Sequence, residues 1–321
     1  MPQRHATPGR GEKGGRMADW SEGDLPIGGI AIHYYRMGDR AKPPVVLLHG
    51  FTDAGICWGR LATDLAPDYD VIALDAAGHG KSGGLEHGFR ARAISDVIAA
   101  IDGFGLERPA LIGHSMGGAT ASGVAAVASD RLRGIVLEDP PWREGPPAPR
   151  GPEVVERMRA FKELSAEERY AKAAQDQAHW AESERIPWAD SKGQLNLGVY
   201  DEVVDFGRPP WRETVAKITC PTLLITADPE RGGIVTPETA QEATTLAHRA
   251  GGPHPRRGAQ HPARPVRAVP RGDDGVPGRF SGRLKPPALS SQTQTARAAR
   301  LGRPRCYVTC RYFGRYCIGS R

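Results

Sequence analysis

An α/β architecture with a mostly parallel, doubly wound sheet is what this sequence predicts, on three observations. Short continuous apolar runs at 43–48, 71–74, 110–112, 134–137 and 222–225 are each bounded by Gly, Pro or Asp. Such runs are the signature of strands buried on both faces. Stretches with helical character at 58–65, 89–104 and 116–128 lie between them. Alternation of that kind closes into a parallel sheet with helices packed on both sides.

The elements follow in order. Residues 20–36 read as a turn-punctuated β entry, in which 30–35 (Ile-Ala-Ile-His-Tyr-Tyr) alternate as an edge strand should. After the fourth buried run, 140–152 is rich in proline. Residues 153–181 then become charged and helical around Met158, Phe161, Leu164 and Tyr170. The chain loosens past Trp188 and returns to the sheet through 211–217. The expected organisation is a disordered extension (1–20), a first part of the core (21–140), a mobile helical lid (141–212), a second part of the core (213–248) and an irregular basic tail (249–321). A lid there would cover the carboxyl ends of the strands, where open α/β sheets bind ligands.

Charge is distributed unevenly. The 321 residues carry a net charge of +6. Fifteen Arg and one Lys against two acids give residues 249–321 a net +14, which leaves −8 for 1–248. The body is acidic, so the overall basicity is not the footprint of a nucleic-acid surface, and no nucleic-acid or membrane partner is expected. No apolar run reaches the roughly 18 residues that span a bilayer. Residues 1–16 lack the apolar stretch of a signal peptide, which predicts a cytoplasmic protein; separately, Met17 reads as an original start. Cys57 and Cys220 are isolated, and Cys306, Cys310 and Cys317 follow a spacing that fits no standard zinc ribbon. Neither a disulfide framework, a metal nor an organic cofactor is expected.

The chemistry concentrates at Gly113-His-Ser115-Met-Gly117, between a buried run and a helix rich in Ala, Gly and Val. A serine at a sharp strand-to-helix turn is lifted into the cleft, and small residues two before and two after let strand and helix approach. The same turn puts the Met116 N–H at a helix start, where dipole and donor favour an oxyanion. A second donor is expected from His49-Gly50-Phe51, where the end of a buried run turns the Phe51 N–H toward the cleft. His49 itself is expected to tie loops together rather than carry protons.

These segments resemble the α/β-hydrolase fold superfamily, and within it the lidded serine hydrolases with a Gly-His-Ser-Met-Gly-Gly elbow. The resemblance runs from about residue 25 to 246. It includes 75–82 (Asp-Ala-Ala-Gly-His-Gly-Lys-Ser), where Ala77 replaces the usual arginine. The resemblance implies Ser115 as nucleophile and a small-molecule ester, thioester, lactone or activated carbon–carbon bond as substrate, cleaved through an acyl-enzyme. It implies an acid just past the strand at 222–226, where Glu230 fits the usual spacing and Asp228 lies nearer the strand end; Asp139, after the preceding strand, is a third candidate. The alternative is a noncatalytic small-molecule binder of the same fold or an inactive, truncated pseudoenzyme. Trp142, Trp180, Trp188 and Trp211 are lid residues, which suggests an apolar or aromatic acyl or leaving group.

The required histidine should follow the acid, between a last strand and a last helix. His261, in Gly-Ala-Gln-His, stands at the right distance. No strand pattern precedes it, and Pro262, Pro265 and Pro270 forbid a helix after it. Residues 249–300 hold only six Val, Ile, Leu, Met or Phe in 52 positions, too few to offset chain entropy. Advancing the possible codons by one base from Arg249 permits Gly-Arg-Val-Val-His-Ile-x-Gly-Ala-Gly-His-Asn-Ile. An amphipathic helix is then permitted over 266–278, and a stop after Leu284-Lys285. The tail therefore reads as frameshifted, with a natural disordered tail as the alternative, and the base is either His261 or a residue displaced from the printed sequence.

Overall fold

Two glycines with positive φ, Gly28 at 54° and Gly29 at 85°, form the tight turn between strands β1 (Ser21–Ile27) and β2 (Ile30–Met37). Both turn residues of such a hairpin need the left-handed region, which glycine reaches without steric cost. The computed structural model describes residues 19–84, 88–143, 151–205, 211–250 and 297–301, all within one compact unit. The sheet continues with β3 (Pro44–Leu48), β4 (Asp70–Leu74), β5 (Ala110–His114), β6 (Gly134–Glu138), β7 (Thr222–Thr226) and β8 (Arg297–Leu301). Its order is β1-β2-β4-β3-β5-β6-β7-β8. Strands β3 to β7 run parallel; β1, β2 and β8 pair antiparallel.

Alternate residues of the central strands enter two different cores, as a period of two demands. Val46, Leu48, Ile72 and Leu74 pack with Val97 and Ile101 of α2 (Phe89–Gly103) and with Val124 of α3 (Met116–Ala128). Val45, Leu47, Val71 and Ala73 pack with Leu61 and Ala62 of α1 (Gly59–Leu65) on the other side. Each fully buried Leu or Val contributes about 1.5–3 kcal/mol. At the foot of β4, Asp70 receives two bonds from Arg36, Nε at 2.8 Å and Nη2 at 2.6 Å, in a buried pair that locks β2 in register.

Between β6 and β7 the chain forms α4 (Pro152–Glu163), α5 (Ala166–Asp176), α6 (Glu182–Gln194), a 3-10 segment (Leu197–Asp205) and α7 (Trp211–Ala216). A capping box opens α5: Ser165 Oγ accepts from the Glu168 N–H while Glu168 reaches back to the Ser165 N–H. Helix α8 (Pro237–Ala250) follows β7.

One expectation is corrected: the segment 30–35 is not at the edge, since β2 sits between β1 and β4, and Tyr35 and Ile32 are buried. Within the basic tail residues 297–301 pair antiparallel with β7 in register from Thr222↔Leu301 to Thr226↔Arg297, and the rest of 251–321 lies outside the described residues. The edge of β7 offers a row of main-chain donors and acceptors that an extended segment can satisfy whatever its side chains, so hydropathy gave no sign of it.

Candidate active site

The chain passes from β3 outward to β4 and then back across to β5 on the other side of β3. Connections leaving β3 and β5 therefore diverge, opening a crevice at their carboxyl ends. Ser115 stands there, directly after β5 and as the N-cap of α3, with φ 48° and ψ −110°. A non-glycine residue in that conformation is strained. It is held on both sides: its N–H donates to the Glu138 carbonyl at 2.8 Å and its carbonyl accepts from the Ala119 N–H at 3.0 Å.

The flanking glycines are steric necessities. A Cβ on Gly113 would overlap the Gly117 carbonyl, and one on Gly117 would overlap the Leu48 carbonyl. The second contact presses the first turn of α3 against the end of β3, and so brings the Met116 N–H beside the loop that carries Phe51. As the first residue of α3, Met116 has no intrahelical acceptor for its N–H. Gly50 to Asp53 form a turn closed by the Asp53 N–H on the Gly50 carbonyl at 3.1 Å. Phe51 packs edge-on against Tyr200, 5.4 Å away, and His79, 5.8 Å away.

Histidines flank these turns. His49 Nε2 accepts from the Ala76 N–H at 3.0 Å, which leaves the ring proton on Nδ1, 2.8 Å from the Gly50 carbonyl. That neutral tautomer ties the loop after β3 to the loop after β4. Burial holds His49 and His114 below the usual imidazole range and His79 well below it. In the second loop, buried Asp75 accepts from the Gly55 N–H at 2.6 Å and the Lys81 N–H at 2.8 Å. Ala77, in the place where arginine was expected, is buried in the main core.

The three carboxylates proposed from sequence stand differently. Asp228 and Glu230 are exposed, and Asp228 accepts from the Glu230 N–H at 3.1 Å as cap of the 3-10 turn Pro229–Arg231. Asp139 directly follows β6, is buried and has φ 43°. Both its oxygens accept from the Ile234 N–H at 2.9 Å, and Oδ1 also from the Val235 N–H at 2.9 Å. Its neighbour Glu138 carries the carbonyl that anchors Ser115. His261, Cys306, Cys310 and Cys317 lie outside the described residues.

The insertion after β6 reaches the same crevice. The Asn196 N–H donates to the Gly78 carbonyl at 3.0 Å, and the Cys57 thiol lies 3.7 Å from the Pro187 carbonyl. Lys192, 1% exposed, donates to the Thr52 carbonyl at 2.8 Å and to Asp53 Oδ1 at 2.5 Å. The sequence reading missed this residue: a lone lysine in a polar helix gives no sign that it is buried. The tryptophans divide in two. Trp180 and Trp188 pack within the insertion with Phe161. Trp142 and Trp211 stack at 5.3 Å inside the main core.

A strained serine thus stands at the switch point of an open α/β sheet, between the end of β5 and the start of α3. Residues 45–308 match the model of the alpha/beta hydrolase family, and the chain belongs to that family. The N-formylmaleamate deformylase of Pseudomonas putida is 36% identical over 122 residues, covering 37% of this chain and 45% of that protein. Lipase LipV of Mycobacterium tuberculosis is 35% identical over 111 residues, 35% of this chain and 42% of that protein. The chain is thus matched over less than half the length of these curated relatives. Among solved structures, the N-formylmaleamic acid deformylase of Pseudomonas putida S16 superposes with a TM-score of 0.61 at 22% identity, over 71% of this chain and 90% of that one. The thioesterase domain from the curacin biosynthetic pathway gives 0.55 at 20% identity, over 71% and 89%. At that level of identity the likeness is one of fold. Among the described residues no helix is long and apolar enough to cross a membrane, and no cluster of three or more His, Cys, Asp or Glu is placed to hold a metal.

Proposed function

We propose that the protein is a serine hydrolase acting on a small-molecule ester, thioester, lactone or activated carbon–carbon bond. The observation that carries the reading is Ser115 at φ 48° between β5 and α3. Its hydroxyl attacks the carbonyl carbon, and the Phe51 and Met116 N–H groups receive the oxyanion. Collapse of the tetrahedral intermediate expels the leaving group and leaves an acyl-enzyme that water cleaves. The deformylase and lipase named among the relatives favour carbonyl chemistry.

We assign the orienting carboxylate to Asp139 in place of Glu230 or Asp228. Its burial, its positive φ and its backbone donors fix its position one residue from the strand end that anchors Ser115. Such a group holds the imidazole in the productive tautomer and stabilises the imidazolium. The base comes from the shifted reading frame, in which a strand leads into Gly-Ala-Gly-His. In the printed frame His261 is the remaining candidate. The insertion expected over residues 141–212 acts as the lid, the substrate is a small molecule, and the protein works in the cytoplasm.

A fluorophosphonate probe tests the nucleophile, because only an activated serine reacts quickly. Labelling should vanish in Ser115→Ala, and labelling that persists there overturns the assignment. A screen over short esters, thioesters and lactones separates an enzyme from a noncatalytic binder, and resequencing around the codons for 246–249 tests the frame. If the DNA keeps the printed frame and the protein hydrolyses esters at ordinary rates, with loss in His261→Ala, then His261 is the base.

A further inference from the structure

The turn that aims the Phe51 N–H is itself strained. Thr52, a β-branched residue, has φ 69°, a conformation that such a side chain disfavours. Within the turn the Asp53 N–H donates to the Gly50 carbonyl, which His49 Nδ1 also approaches at 2.8 Å. On one side His114, next to Ser115, fills the space a Cβ on Gly50 would need; Asp53 Oδ2 closes the same space. On the other side stands Lys192 of α6, whose ammonium takes the Thr52 carbonyl and the Asp53 carboxylate together and lies 5.1 Å over the Trp188 ring. The lysine and the aspartate are both buried. Desolvating two charges is costly for stability alone, yet here they meet at the Thr52–Asp53 peptide, whose N–H bonds the carbonyl of the Gly50–Phe51 peptide that carries the donor.

We propose that Lys192 is a positioning residue: by bonding the Thr52 carbonyl and Asp53 from the inserted helix, it holds the Gly50–Asp53 turn in the one conformation that points the Phe51 N–H at the oxyanion. The inference rests on the serine-hydrolase reading for its kinetic consequence but not for its structural one. Docking of α6 and completion of the oxyanion site become one event, so a substrate is activated only beneath a closed lid. An oxyanion donor is worth on the order of 10² to 10³ in rate, and a donor misaimed by a relaxed turn loses much of that.

The test uses the full chain, with p-nitrophenyl acetate as probe ester and amide hydrogen exchange at Asp53 as a readout independent of catalysis. Lys192→Met leaves Asp53 buried without its cation and lowers the unfolding midpoint. Lys192→Met/Asp53→Asn removes both charges and regains most of that midpoint. In both variants the Asp53 amide should exchange at least about tenfold faster than in the wild type, while the β3 amides stay protected. The rate constant kcat should stay about tenfold or more below wild type with KM within about threefold, because the lost interaction is with the transition state. Recovery of stability, Asp53 protection and kcat together in the double variant would reduce Lys192 to a structural ion pair. Unchanged Asp53 protection in either folded variant would overturn the proposal outright. If neither the printed chain nor protein read from the shifted frame hydrolyses the ester, the hydrolase reading fails, and exchange at Asp53 still decides the clamp.

Discussion

Replacing Ser115 by glycine should make the protein more stable than replacing it by alanine. The elbow holds residue 115 at φ 48° and ψ −110°, where a side chain costs about 1–3 kcal/mol. Alanine keeps the Cβ and therefore keeps the strain. Glycine removes it but adds freedom to the unfolded chain, a loss of about 0.5–1 kcal/mol. The balance is about 1 kcal/mol in favour of glycine, or about 2–4 °C in Tm for a body of this size. Both variants lack the hydroxyl, so the comparison isolates the backbone from lost hydrogen bonds. Parallel thermal melts followed by circular dichroism measure it. A glycine variant melting at or below the alanine variant would show that the backbone at 115 is relaxed, and the geometric case for an elbow would fall.

In protein read from the shifted frame, Asp139→Asn should lower kcat by about 10³ to 10⁴, as loss of a triad acid does, while Glu230→Gln stays within about threefold; the reverse ranking in ester turnover returns the role to the loop after β7. Arg36→Met strands the Asp70 carboxylate, 1% exposed, and should cost about 3–5 kcal/mol in urea unfolding, most of it recovered in Arg36→Met/Asp70→Leu. Burial, with the Asp139 charge beside it, pushes the Glu138 carboxyl up to about 8 from 4.5. The native state therefore keeps a proton that the unfolded chain gives up above pH 4.5, and the stabilisation present below that pH is lost as pH rises toward 8. Glu138→Gln should flatten that decline in denaturant midpoints between pH 5 and 8; an unchanged slope would assign it to other groups.

Much of the fold was legible because its signals are local. The runs 43–48 and 110–112 announce strands buried on both faces, and β3 and β5 fill those places. Gly113 precedes Ser115 because it nearly touches the Gly117 carbonyl, a constraint that acts within five residues and is written in the sequence; Gly117 meets the Leu48 carbonyl of a distant strand. The edge of the sheet was misread because alternation in 30–35 reports one exposed face but not which strand lies beyond it. Residues 297–301 were invisible because a strand added through main-chain bonds asks nothing of its side chains.

The carboxylates show the limit most clearly. Asp139, Asp228 and Glu230 all follow a strand, and sequence spacing ranked them by analogy. Only the assembled sheet shows that one is buried and held by the N–H groups of Ile234 and Val235, 95 and 96 residues away, while the other two face solvent. Lys192 and Asp53 are 139 residues apart, and in sequence each is an ordinary charged residue on an element with a polar face. The sequence by itself determined the buried strands of the parallel sheet and the strand-to-helix turn at Ser115, since these depend on apolar period and on the bulk of adjacent residues. The tertiary structure alone decided which charges are buried and which turn they hold, because desolvation and ion pairing depend on what distant segments bring to the same point in space.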